Sequence, residues 1–285
     1  MNKKILVRIM VWIAVMSVLT LIAMGSWVLC GGNQTTASLK WFQFVQTLAT
    51  FLLPPILCAW MWDERHRPFT WLKMDRKPDG RLILLAVGIM VCAVPAINLL
   101  ADLNSRLRLP DSMAALEQRL RAMEDAAAVL TEQFLKADNI GMLLVNIGLM
   151  ALLPALAEEL SFRGTLQQLL TDGEVSKARV HVAIWVTAVI FSAIHMQFFG
   201  FVPRMLMGAM FGYVFVWSGS LWIPMVMHFT NNGLAVIAYY ALDGVGDGKN
   251  YADTFGAGTT WYIGVLSLVI TSLGLLIFYR RTHIR

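Results

Sequence analysis

Residues 157–163 read Ala157-Glu158-Glu159-Leu160-Ser161-Phe162-Arg163, two adjacent carboxylates and a guanidinium at the end of a long apolar run, residues 140–156. Together they approach the roughly 20 residues an α-helix needs to cross a bilayer. Charges in or at the edge of such a segment are costly, so they are rare and functional by default. On a helix, Glu159 and Arg163 stand at i and i+4 and can pair. Glu158 is rotated by about 100° from Glu159 and is free to point elsewhere. One carboxylate therefore has a partner written into the sequence and its neighbour has none. Chemistry is expected at Glu158.

The chain around this stretch is of the same character. Of its 285 residues, 58% are hydrophobic and 14% charged, where a soluble domain averages about 25% charged. Further apolar runs are read at about 9–29, 41–62, 82–100, 182–198, 205–217, 221–242 and 261–279. The expected fold is all-α, a polytopic membrane helix bundle with about eight transmembrane helices. Continuously apolar segments lack the alternation of an outer-membrane barrel. The bases of residues 63–81, Lys177, Arg179, Arg280 and Arg281 mark cytoplasmic loops, with both termini inside. Arg204 is the exception, an isolated base on an outer turn. Nucleic acid is not an expected partner, since no basic stripe with interleaved aromatics is present. Cys30, Cys58 and Cys92 have neither metal-ligand spacing nor a disulfide framework and read as small buried residues.

Two regions are distinguished within one integral unit. Residues 1–139 hold transmembrane helices and one outer amphipathic segment, 112–136, with apolar residues at Leu116, Leu120, Met123, Val129 and Leu130. That segment either lies on the membrane surface or caps the bundle. Residues 140–285 hold the candidate catalytic bundle. In it, the ionisable side chains within apolar spans are Glu158, Glu159, Arg163, His195 and His228, on three separate spans, as expected if they converge on one polar cavity. Asn232 follows His228 by one turn, on the same helical face.

Such a cavity supports water activation. A carboxylate in an apolar site can act as general base. Two routes are open. Glu158, His195 and His228 could hold a divalent metal such as Zn that acidifies bound water. Alternatively, Glu158 works without metal while His228 and Asn232 donate to an oxyanion. No His-Glu-x-x-His stretch is present.

Glu158-Glu159-x-x-x-Arg163, Phe191-x-x-x-His195 and His228-x-x-x-Asn232, in that order, resemble the three motifs of the CAAX-protease and bacteriocin-processing membrane endopeptidases, the family of the type II CAAX prenyl endopeptidase. The resemblance implies an eight-helix bundle cleaving membrane-associated peptides or proteins, in a bacterial inner membrane. It also implies roles. Glu158 activates water, His195 binds that water or a metal, and His228 with Asn232 stabilises the oxyanion. Glu159, Arg163 and Phe191 are structural partners. The expected partners are membrane lipids and a peptide or protein substrate. Two other classes compete: a proton-coupled transporter, in which Glu and His form a relay, and a non-catalytic immunity or scaffold protein that keeps the fold. Against the transporter, no paired halves with matching interrupted helices are seen.

Overall fold

A computed structural model describes residues 3–32, 35–171, 176–242 and 254–283. The helices are α1 (Lys3–Leu29), α2 (Thr36–Trp62), α3 (Gly80–Ser105), α4 (Ala114–Leu135), α5 (Ile140–Thr171), α6 (Lys177–Ala193), α7 (Phe201–Ser218), α8 (Trp222–Leu242) and α9 (Trp261–His283). No strand occurs among the described residues. The expected outer loop 243–260 lies largely outside them.

The chain is an integral membrane protein. Among the described residues, six helical segments are long and apolar enough to cross a bilayer: α1, α2, α3, α5, Phe198–Ser218 (which includes α7) and Gly258–His283 (which includes α9). The two long apolar helices that fall short are instructive. Helix α6 has 17 residues, and α8 carries His228, Thr230, Asn231 and Asn232 in mid-course. Both bear residues of the candidate site.

Two ends of the bundle are distinct. At one, residues 63–79 fold back on the α7–α8 turn: Leu221 N donates to Lys73 O at 3.0 Å, Trp222 Nε1 to Met74 O at 2.8 Å, and Ser220 Oγ to Arg76 O at 2.6 Å. At the other, α4 is clamped over the bundle. Glu117 accepts from Arg108, Arg121 and the Leu109 N–H. Glu124 Oε2 accepts from Phe199 N at 3.0 Å, and the buried Asn146 donates to the last carbonyls, Leu135 O and Lys136 O. The apolar residues Leu116, Met123, Val129 and Leu130 are exposed. Polar side chains thus fasten the helix over the bundle together with the buried Phe134, while its exposed surface carries these apolar residues among Gln118, Arg119 and Asp125.

Two features set helix course. Helices α2 and α5 each contain a π segment, Leu48–Leu52 and Ile147–Leu152, immediately before the proline that follows (Pro54 and Pro154). The wider turn accommodates a residue without an N–H, a recognised cause of helix bends. Inside α3, Pro95 is answered differently. The Ala96 N–H donates to Ser267 Oγ of α9 at 3.0 Å, and that hydroxyl in turn donates to Cys92 O. The side chain of Ser267 is thus inserted into the backbone ladder of another helix. The three cysteines are free, and Cys30 and Cys92 are exposed rather than buried, because both sit on outward faces.

Candidate functional site

Helix α5 carries the centre of the site. Its second π segment, Phe162–Gln167, turns Arg163 and Gln167 toward α7. There Arg163 Nη2 donates to Gly208 O at 2.9 Å and Gln167 Nε2 to Gly212 O at 3.1 Å. Bare α-carbons allow this approach. A Cβ on Gly208 would stand 3.2 Å from Phe191, and one on Gly212 would stand 2.7 Å from Gln167 Oε1 and 2.9 Å from Ile184. Gly208-x-x-x-Gly212 is a small-residue seam of the kind that brings membrane helices close.

The expected Glu159–Arg163 pair forms, with Nη1 to Oε1 at 2.7 Å and both side chains fully buried. The same oxygen takes a second partner, His228 Nδ1 at 2.9 Å. Since a carboxylate accepts, Nδ1–H is the donor, and the ring's other nitrogen is left for chemistry. That nitrogen, Nε2, faces Glu158 Oε2 at 3.9 Å. Glu158 points away from its neighbour, as expected, and retains 16% side-chain exposure against 0% for Glu159. Phe211 stacks on the His228 ring at 5.4 Å and 28°.

His195 is not inside a helix, contrary to expectation. Helix α6 ends at Ala193, and His195 occupies the turn beyond it, before Met196, whose φ is 55°. This left-handed conformation at a non-glycine ends the helix at some backbone cost. His195 Nδ1 donates to Phe191 O at 2.7 Å, so Nε2 is again the available nitrogen. The rings of His195 and His228 both meet Phe191 edge-on, at 5.1 Å and 6.1 Å between centroids. Phe191 is the wall they share. Asn232 stands one turn past His228 and donates to Met150 O at 3.3 Å, while its Oδ1 accepts from Asn231.

Among the described residues, no group of three or more His, Cys, Asp or Glu side chains is disposed to hold a metal ion. His228 and His195 each commit Nδ1 and keep Nε2, an arrangement in which an imidazole can still ligate, so the side chains of Glu158, His195 and His228 leave both chemical routes open. An apolar groove of about 650 Å³ lies between α2 and α5, lined by Trp41, Phe44, Leu149 and Leu156 with Lys40. Neither Glu158 nor His228 lines it, so it is a separate feature.

Two residues escaped the sequence reading in part. Glu159 was given only Arg163 as a partner, because the link to His228 spans 69 residues and leaves no local pattern. Arg204 was placed on an outer turn, but it lies in the first turn of α7, in electrostatic range of Glu158. Its signal was available: a single base flanked by Phe201, Val202, Met205 and Leu206.

Residues 140–234 match the family model described as Type II CAAX prenyl endopeptidase Rce1-like. The match covers the three motifs from which the resemblance was read. Among curated proteins, the chain is 31% identical over 88 residues to an uncharacterized protein, YpbD, of Bacillus subtilis (strain 168). That alignment covers 30% of this chain and 40% of the relative, so the chain spans about two fifths of the length of the curated protein it matches. No solved structure matches the chain.

Proposed function

We propose that the protein is an intramembrane endopeptidase that hydrolyses peptide bonds of membrane-associated peptides or proteins by Glu158-activated water. One observation carries the reading: two adjacent carboxylates in one helix have been given opposite situations. Glu159 is sealed between Arg163 and His228, while Glu158 keeps its oxygens for something outside the protein, with His228 Nε2 at 3.9 Å.

The chemistry follows from that division. Glu158 takes a proton from water as the water oxygen adds to the scissile carbonyl carbon. His195 Nε2 is free to accept from the same water. Asn232 through its amide then donates to the oxyanion, and His228 does so through Nε2 in its doubly protonated form, its Nδ1–H being already held by Glu159. As the C–N bond breaks, the proton held by Glu158 passes to the leaving amine. Glu159 acts at one remove, fixing which nitrogen of His228 faces the substrate. No step is routed through a metal.

The bundle sits in a bacterial inner membrane in this reading, with both termini and the basic end cytoplasmic and α4 outside. The exposed Leu116, Met123, Val129 and Leu130 of α4 lie against lipid in this reading. The transporter alternative has less support, since a relay needs exchangeable partners, whereas Glu159 is held by two fixed ones.

The test compares detergent-purified wild type with Glu158→Gln on membrane-derived peptides, with and without a strong chelator, products being identified by mass spectrometry. The expected result is cleavage by the wild type that survives the chelator and is absent in Glu158→Gln. Equal cleavage by both proteins would remove Glu158 from the mechanism. Cleavage lost on chelation would restore the metal route.

A further inference from the structure

Arg204 is a cation placed with unusual care. The turn before it is pinned from three sides. Asn104 of α3 donates to Phe198 O at 3.1 Å and accepts from Val202 N at 3.0 Å. From α4, Glu124 accepts from Phe199 N, and the Arg121 guanidinium lies 3.8 Å over the Phe199 ring. From α6, Ser192 Oγ donates to Phe201 O at 2.7 Å. The guanidinium itself is oriented by Gln197, whose Oε1 accepts from Nη2 at 2.5 Å. It lies over Gly200, where a Cβ would come within 3.5 Å of Nη2 and 3.7 Å of Nη1.

Despite this support, Nη1 is buried and has no hydrogen-bond partner among the described residues. A buried donor left unmade is costly, and in a native structure it needs an explanation. The carboxylates in electrostatic range of Arg204 are Glu124 and Glu158. Glu124 has committed Oε2 to Phe199 N, while its Oε1 stands at the same face of Gly200 as the guanidinium, 3.6 Å from where a Cβ would be, without a hydrogen bond to Nη1; Glu158 faces His228. His195, two residues before Gln197, is also within range of the Arg204 charge. A planar guanidinium with one N–H fixed and one open suits a carboxylate, which it meets with charge-assisted hydrogen bonds.

We propose that Arg204 is a substrate-binding residue that recognises a carboxylate of the peptide, held in electrostatic range of Glu158 by the pinned turn 197–202. The carboxylate comes from an acidic side chain or from the peptide's own C-terminus; both offer Arg204 the same pair of oxygens. The inference rests on the peptidase reading for the nature of the ligand. Through Arg204 the site selects peptides by charge, a property that none of the three motifs encodes.

The test is binding, read separately from cleavage. Fluorescent, N-acylated decapeptides are prepared in matched pairs: one Asp against Asn at each position in turn, and C-terminal acid against amide. Affinities are measured by fluorescence polarisation in detergent for Glu158→Gln and for Glu158→Gln with Arg204→Gln. At least one acid member is expected to bind Glu158→Gln ~10-fold more tightly than its neutral partner, the size of one charge-assisted hydrogen bond. That ratio falls to about 1 when Arg204→Gln is added, with neutral peptides unchanged. The pair that discriminates identifies the source of the carboxylate. Absence of discrimination, discrimination that survives Arg204→Gln, equal loss for acid and neutral peptides, or no binding by any peptide overturns the proposal. Should Arg204→Gln fail to fold, Arg204→Lys keeps the charge and loses the fork; a reduced but measurable preference is then expected, and an undiminished one overturns the proposal. Cleavage of the same peptides by wild type judges the other reading. Acid-selective binding without cleavage would sink the peptidase and leave the Arg204 site standing.

Discussion

Arg163 is the largest fully buried side chain among the described residues, and its neighbours show why it is tolerated there. Its guanidinium holds Glu159 and the Gly208 carbonyl and lies over Phe191 and Phe211, at 4.7 Å and 5.4 Å from their centroids. Removing one partner of a buried pair leaves the other charge uncompensated. Arg163→Ala is therefore expected to destabilise the protein by about 3–5 kcal/mol, read as a lower midpoint of thermal unfolding in detergent. A second expectation concerns Glu159, whose contact with His228 predicts more than a structural role. Glu159→Gln removes the acceptor charge that orients the ring, so kcat should drop by at least ~10-fold, with a smaller effect on folding than Arg163→Ala. An unchanged kcat would reduce Glu159 to scaffolding. At this scale the sequence was readable wherever a relation was local. Glu159 with Arg163 followed from helix periodicity, and so did the divergence of Glu158. What lay beyond reach was one oxygen of Glu159 serving two partners, since nothing in residues 157–163 points to His228.

Among the elements, α7 is decided by what it lacks. Gly208 and Gly212 offer bare carbonyls to Arg163 and Gln167, and a methyl group on Gly212 would collide with Gln167 Oε1 and Ile184. Gly212→Ala should cost about 1–3 kcal/mol by overpacking, measured as a lower unfolding midpoint. Gly233→Ala is the control, because a Cβ there meets nothing within 4 Å. Helix existence and order were legible from apolar runs, and most boundaries lie within a few residues of the reading. Helix ends at the site were less so. Apolarity continues through His195, and the helix stops for a backbone reason, the left-handed Met196, that hydropathy does not register. The π segments are likewise invisible to hydropathy, although two of them, Leu48–Leu52 and Ile147–Leu152, stand just before a proline that the sequence displays.

For the molecule as a whole, the cap is the part most open to conditions. Glu117 fastens the start of α4, and hydrogen bonds from the Leu109 N–H and the Arg121 guanidinium hold its carboxyl below the usual carboxylate range. A depressed folded-state value means that the carboxylate contributes stability above the unfolded value, about 4.3, and that this is lost as pH falls through the lower folded value. Hydrogen-exchange protection factors across residues 107–121, which correct for the intrinsic pH dependence of exchange, should accordingly be high at neutral pH and fall below about pH 4. Glu117→Gln should show the lower protection at neutral pH and converge with the wild type in acid. The sequence reading left α4 with two alternatives, surface or cap. The hydrogen bonds at Glu117, Glu124 and Asn146 fit the cap. Periodicity finds two faces but cannot tell which one the protein keeps.

The hydroxyl of Ser267 completes a rung of α3 from 171 residues further along the chain. Translation is directional, so α3 leaves the ribosome and enters the membrane long before α9 exists. Until then the Ala96 N–H and the Cys92 carbonyl, one turn apart across Pro95, have only each other, for hydrocarbon offers them no water. Arrival of α9 inserts a hydroxyl relay between them, so this turn of α3 takes its final form only after synthesis has passed residue 267.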